Sequence, residues 1–193
     1  LGLNDATAIW WLQYDHTTNQ LYAIDYEEYI STPLPTICHQ VLHTKPYKTI
    51  EAHIAPHDIV HRSYESGLTR VQIAQRHGIN FTDEANSVTK AKKLPILDGI
   101  EHTRKLIPRT YFCSINAEDG LKCLENYKRK YDRDTNTYYN TPIHDQFSHG
   151  ADAFRTFAVW FADNETQLKR KYNLDNFSNT PIRAILPTSI FEA

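Results

Sequence analysis

The chain opens on a pattern of strands: Ala6 to Tyr14 (ATAIWWLQY) is an apolar, β-branched and aromatic run, and Gln20 to Glu27 (QLYAIDYE) reads similarly, with apolar and polar positions interleaved. Asp15-His16-Thr17-Thr18-Asn19 between them is turn chemistry, so an antiparallel hairpin is expected. After Pro33 and Pro35 an amphipathic stretch around Ile37 to Leu42 predicts a helix, and Thr49 to Ala55 (TIEAHIA) reads as a short buried strand stopped by Pro56. Thr69 to His77 is a run of helix formers closed by Gly78, and Ile79 to Phe81 predicts another short strand. Ile96, Ile100, Thr103 and Ile107 share one face of a helix that closes at Pro108, and Tyr111 to Cys113 follows as a strand. Asn116 is the expected cap of the next helix, with Glu118 and Asp119 in its first turn. Its core face is Leu121, Leu124, Tyr127 and Tyr131, and its outer face Lys122, Lys128, Arg129 and Lys130. Asp132 to His144 predicts a polar hairpin. From about Ser148 to Ala162, Phe154, Phe157, Ala158 and Phe161 recur at i, i+3, i+4 and i+7, a strong helical signal. Beyond Asp163 the pattern decays into a charged, Asn- and Pro-rich tail. The expected organisation is a domain over 1–163 and a tail over 164–193, the domain being α/β and built on one mixed sheet.

Composition narrows the function classes. At 193 residues, 40% hydrophobic and 23% charged, the chain fits one globular domain and neither a disordered nor a fibrous protein. Its 21 Lys and Arg against 23 Asp and Glu give a net charge of −2, so any grip on phosphates must come from local patches, and acids remain available for metal. Cys38, Cys113 and Cys123 form no C-x-x-C pair, which argues against a disulfide scaffold or a thiolate zinc site and suits a reducing cytoplasm. No apolar run approaches the roughly 18 residues of a membrane span, so no membrane partner is expected. No signal peptide opens the chain, and without any methionine it reads as a piece of a longer polypeptide. It has no G-x-x-x-x-G-K-[ST] loop, so nothing supports nucleotide hydrolysis within it.

Two segments carry candidate chemistry. In Glu51-Ala52-His53-Ile54-Ala55-Pro56-His57-Asp58 a strand runs into a turn that ends on an acid. In His144-Asp145-Gln146-Phe147-Ser148-His149-Gly150-Ala151-Asp152 an acid sits in the first turn of an apolar helix. Carboxylates at a strand end and a helix start can converge across a sheet edge, where hard cations such as Mg²⁺ take oxygen ligands and keep several waters. Two such ions about 4 Å apart can activate a water and stabilise the leaving oxygen of a phosphodiester. The plainer alternatives are that Asp58 caps a following helix and that Asp152 only answers the positive end of its own. His53, His57 and His61 at i, i+4 and i+8 have zinc spacing, but Pro56 interrupts the helix that would align them, at a cost of roughly 3 kcal/mol. Arg70, Arg76 and Lys90-Ala91-Lys92-Lys93 read as solvated charge or phosphate contacts, and Tyr138-Tyr139 as hairpin packing.

At these residues the sequence resembles the C-terminal nuclease domain of the large terminase subunits of tailed bacteriophages. The resemblance runs from Leu1 to about Ala162, through Leu1-Gly2-Leu3-Asn4-Asp5-Ala6-Thr7-Ala8-Ile9-Trp10, Pro56-His57-Asp58, Asp98-Gly99-Ile100, Leu106-Ile107-Pro108-Arg109, Gly120-Leu121, Tyr127-Lys128-Arg129, His144-Asp145 and Ser148-His149-Gly150-Ala151-Asp152-Ala153-Phe154-Arg155. It implies a ribonuclease H-like mixed sheet flanked by helices, with a small β-hairpin insertion. The implied activity is two-metal endonuclease cleavage, with Mg²⁺ or Mn²⁺, of concatemeric double-stranded viral DNA during packaging. The family's second acid follows Pro-His, matching Asp58, and its third precedes Ala-Phe-Arg, matching Asp152. Gly2 aligns with the glycine of the family's D-x-G pattern, so the first acid is expected immediately before Leu1. Asp5 is near enough to be a supporting ligand, and His57, Asp145 and His149 are expected around the ligands. The portal protein and the small terminase subunit are implied partners, the host cytoplasm and the viral procapsid the implied setting, and the ATPase motor the implied N-terminal neighbour. The rival readings are another nuclease of the same fold, such as a resolvase or integrase, and a catalytically inactive packaging adaptor.

Overall fold

The computed structural model describes residues 6–47, 49–62, 67–83 and 87–173. The opening hairpin forms as expected, with β1 (Thr7–Asp15) antiparallel to β2 (Gln20–Tyr29). Asp15 closes the turn, its Oδ1 accepting the Thr17 N–H at 2.8 Å and its Oδ2 the Thr18 hydroxyl at 2.7 Å, and these bonds hold its carboxyl below the usual range. Asn19 supplies the left-handed residue the turn needs, at φ 58°.

The register of β2 changes in mid-strand. Trp11 faces Asp25 but Leu12 faces Ala23, so Ile24 is an extra residue and the side-chain phase flips there. One face of the hairpin therefore carries Trp10, Leu12, Tyr14, Leu21 and Tyr26 toward the core. The other carries Trp11 and Asp25 toward the segment after α1 (Leu34–Thr44), where Lys45 and Tyr47 meet them. A short strand β3 (Thr110–Phe112) pairs with β2 in parallel, from Leu21↔Thr110 to Ala23↔Phe112, completing a three-stranded mixed sheet of order β1-β2-β3.

Helix α5 (Ser148–Asn173) lies across the core face of this sheet. Phe154 and Phe161 are fully buried, with Trp10 edge-on to Phe154 at 5.2 Å and Tyr14 edge-on to Phe161 at 5.0 Å. Truncating either phenylalanine to alanine costs about 3–5 kcal/mol. The start of α5 is drawn close to the sheet and to α4 (Glu118–Asn126) by absent side chains: a Cβ on Gly150 would sit 2.7 Å from the Cys123 Sγ, and one on Gly120 2.4 Å from the Trp10 ring. Trp10 Nε1 donates to the Gly150 carbonyl at 2.9 Å, fixing the helix start against β1. Helix α3 (Ile96–Leu106), continued by a 3₁₀ turn at Ile107–Arg109, packs along α5. A two-stranded hairpin, β4 (Arg129–Asp132) with β5 (Thr137–Pro142), projects between α4 and α5 as the expected insertion. Helix α2 (Arg70–Arg76) opens on a reciprocal capping box between Thr69 and Gln72. Among the described residues, no helix is long and apolar enough to cross a membrane.

Several local expectations are corrected. Thr49–Ala55 forms no strand: Glu51 and Ala52 are exposed, and only Ala55 bridges to another segment, at Lys90. Ile79–Phe81 is likewise a loop, its Ile79 buried against Cys38 and Ala74. The buried face of α3 is Gly99, Thr103 and Leu106, one position round from the predicted stripe, leaving Ile107 exposed. Asn116 does not cap α4; Ala117 stands at the cap, while the Asn116 carbonyl accepts the Tyr26 N–H. That helix ends at Asn126, and Tyr131, expected on its core face, lies instead in β4 and is exposed. Helix α5 runs on past Ala162 to Asn173: Arg109 ties Glu165 of its polar continuation to the body of the domain, and Lys169 pairs with Glu165 along the helix.

Candidate metal centre

Asp152 lies in the second turn of α5. The helix has no acid in its first turn, so the macrodipole, which acts mainly over the terminal turn, does not account for the residue. Its Oδ1 is bound twice, by the Tyr127 hydroxyl at 2.8 Å and by an Arg155 guanidinium nitrogen at 3.0 Å. Oδ2 has no partner among the described residues, and the side chain is 41% exposed, so one carboxylate oxygen is held and the other is open. Burial first, and the Asp152 charge second, push the Tyr127 phenol well above its ordinary pKa, so it remains a donor. Asp152 lines a cavity of about 140 Å³ together with Ile96, Tyr127, Ile143, His144 and Ser148.

Asp58 occupies a turn over 57–60, and no helix follows it directly; α2 is capped by Thr69, so helix capping does not explain this acid. Its carboxylate is half-exposed, and Arg70 approaches Oδ2 at 3.7 Å, beyond hydrogen-bond distance. The approach to Asp58 follows α5: Glu51 accepts from Lys171 near the end of that helix, and Ile54 packs into the Phe154–Phe161 cluster. His57 is exposed. Asp145 closes the turn before α5, its Oδ1 accepting the Phe147 N–H and its carbonyl the Ser148 N–H and hydroxyl. His149 stands edge-on to His144 at 5.2 Å, and His144 Nδ1 is 3.0 Å from the buried Ser148 hydroxyl. Asp5 lies outside the described residues.

Zinc on His53, His57 and His61 is not built. His53 is turned inward, its Nδ1 against the Asn80 carbonyl and its ring against Phe81, and burial lowers its pKa. His57 and His61 are exposed on the following turn. Among the described residues no three of His, Cys, Asp and Glu gather closely enough to hold an ion. The donor chemistry at Asp152 and Asp58 nevertheless fits a hard cation: each is a partly exposed carboxylate with oxygen not committed to the protein. A larger cavity of about 450 Å³ beside β2 and α4 is lined by Glu27, Glu28, Asp119 and Lys122 and by none of the expected metal residues.

Tyr127, which helical periodicity assigns to a core face, instead turns its hydroxyl to Asp152, and the Ala153-Phe154-Arg155 motif carries no sequence signal that Arg155 binds the same oxygen. The ion cluster on the far face of β2 also went unseen: Lys45 bridges Asp25 at 2.6 Å and Glu27 at 2.7 Å.

No family model matches the chain, and no curated protein matches it by sequence. Among solved structures it is similar to the g2p large terminase nuclease domain of bacteriophage SPP1, determined with bound Mn, at 21% identity and a TM-score of 0.53, over 83% of this chain and 80% of that one. The expected resemblance thus holds at the level of architecture, and the chain has a ribonuclease H-like α/β fold, a mixed sheet flanked by helices with a β-hairpin insertion.

Proposed function

We propose that this chain is a Mg²⁺- or Mn²⁺-dependent endodeoxyribonuclease that cuts concatemeric double-stranded viral DNA during genome packaging, as the nuclease part of a large terminase subunit. The observation that carries this reading is the fold shared with a terminase nuclease domain whose structure holds Mn. Asp58 and Asp152 are the ligands and catalytic acids, Asp5 is a supporting ligand, and His57, Asp145 and His149 shape the surroundings. A bound divalent cation would supply Lewis-acid stabilisation of the charge that develops on the phosphodiester. The chain's own work is to hold two carboxylates at fixed positions and to seat the DNA backbone. Lys128, Arg129 and Lys130 are exposed at the root of the β4–β5 hairpin, and the Lys128 carbonyl accepts the N–H of Ile143, a wall of the Asp152 cavity. They are suited to phosphate contacts that fix position without reading bases.

The nuclease unit spans 1–163, with a tail over 164–193 whose first ten residues prolong α5. The protein acts in the host cytoplasm, docked transiently on the procapsid, with the portal protein and the small terminase subunit as partners and an ATPase motor in a separate N-terminal domain.

The test is cleavage of linear duplex DNA in Mg²⁺ by Asp58→Asn and Asp152→Asn. Each amide keeps the shape and loses the ligand charge, so cleavage should fall by at least about two orders of magnitude. Wild-type rates in either variant exclude that residue from the site. Strong preference for branched DNA would favour a resolvase or integrase, and absence of metal binding an inactive adaptor.

A further inference from the structure

We infer that Tyr127 and Arg155 are positioning residues that clamp Asp152 by one oxygen so that the other, Oδ2, is presented to a divalent cation. The inference rests on the proposed metal site and adds two residues to it. Both donors converge on Oδ1, at 2.8 Å and 3.0 Å, and they come from different elements, Tyr127 from the end of α4 and Arg155 from the next turn of α5. With Oδ1 held from two directions, rotation of the carboxylate is restricted, and the only oxygen left for an ion is a defined one. Outer partners that hydrogen-bond a ligating carboxylate orient it in this way.

Two further features indicate that Arg155 is set for this bond. Its stem passes close over Gly99 of α3, where a Cβ would stand 3.0 Å from the Arg155 Cδ and 3.1 Å from its Cγ, so an added methyl there would press on the stem. Its Nε is buried with no hydrogen-bond partner among the described residues. A surface i, i+3 ion pair would leave that nitrogen to water; here the guanidinium gives up one hydrogen bond and directs another of its nitrogens at Asp152.

The test is a Mn²⁺ titration of the intact protein, following free Mn²⁺ by electron paramagnetic resonance, for wild type, Asp152→Asn, Tyr127→Phe and Gly99→Ala, with thermal unfolding in parallel. Asp152→Asn should lose the site. Tyr127→Phe removes one hydroxyl and should weaken Mn²⁺ about tenfold while its unfolding midpoint moves by less than about 4 °C. Gly99→Ala displaces the Arg155 stem within a helix that alanine favours, so it should bind Mn²⁺ about threefold more weakly without a lower midpoint; it carries the test should Tyr127→Phe fail to fold. Wild-type affinity in folded Tyr127→Phe or in Gly99→Ala overturns the clamp, provided Asp152→Asn has lost the ion. Wild-type affinity in Asp152→Asn overturns the metal site itself.

Discussion

Asp25 and Asp152 are the same residue in opposite settings. Asp25 is 5% exposed, and both of its oxygens are engaged: Oδ1 accepts the Tyr26 N–H at 2.8 Å, and Oδ2 accepts from Lys45 at 2.6 Å and Tyr47 at 3.1 Å. Lys45 is enclosed in turn, bridging to Glu27 and lying 4.8 Å above the Trp11 ring. Burial alone would lower its pKa, but the Asp25 and Glu27 carboxylates outweigh that and hold it above the ordinary lysine value. Asp152 has one oxygen held and one open, on a cavity at the start of the longest helix. A buried acid with both oxygens engaged within the protein is structure; an anchored acid with an oxygen left over is a candidate ligand. The two regions should therefore fail differently, one in stability and the other in chemistry.

The largest effect expected from this contrast is on activity, the hundredfold or greater loss of cleavage in Asp152→Asn, and it should come with a stability change near 0.5 kcal/mol, since the residue is partly exposed. Lys45→Met should show the reverse. Removing one partner of a buried pair leaves Asp25 uncompensated, which costs about 3–5 kcal/mol, or at least about 6 °C in the unfolding midpoint, while the folded fraction retains its cleavage rate. A midpoint within 2 °C of wild type would mean that Asp25 finds water or another donor, and the contrast would collapse.

The smallest effect concerns His53, which the sequence offered as a zinc ligand and the structure half-buries against Phe81. Its folded pKa lies below the unfolded value near 6.5 because burial disfavours the charged ring. The unfolded chain therefore binds the extra proton first, and the stability due to a neutral His53 is present above about pH 6.5 and lost as pH falls toward the folded pKa. Unfolding midpoints measured from pH 7.5 to pH 5.5 should fall less in His53→Gln than in wild type. Equal slopes would show that the ring is solvated.

How much of this was legible follows from the range of each interaction. The β1–β2 hairpin and α5 were legible because their signals are local: apolar, β-branched and aromatic runs on each side of the Asp15–Asn19 turn, and Phe154, Phe157, Ala158 and Phe161 on one helical stripe. The bulge at Ile24 was not, since one extra residue leaves the composition of the strand unchanged and reveals itself only in the register. Asp58 and Asp152 could be singled out as acids at a turn and near a helix start. Their partners could not, because Tyr127 meets Asp152 across 25 positions of chain and Lys45 meets Asp25 across 20. Thr49–Ala55 failed as a strand because a short apolar run specifies burial at Ile54 and Ala55 without specifying a neighbour to pair with.

The central claim is that Asp58 and Asp152 serve one cation position, and the most direct measurement is an anomalous difference map from a crystal of the protein grown with Mn²⁺. The account predicts a peak bonded to Asp152 Oδ2 and to an Asp58 carboxylate oxygen, each at about the 2.1 Å typical of small hard divalent ions, with Oδ1 of Asp152 still held by Tyr127 and Arg155. Mn²⁺ found elsewhere, or carboxylates separated by well over roughly 10 Å, more than two such metal–oxygen bonds can span, would contradict it.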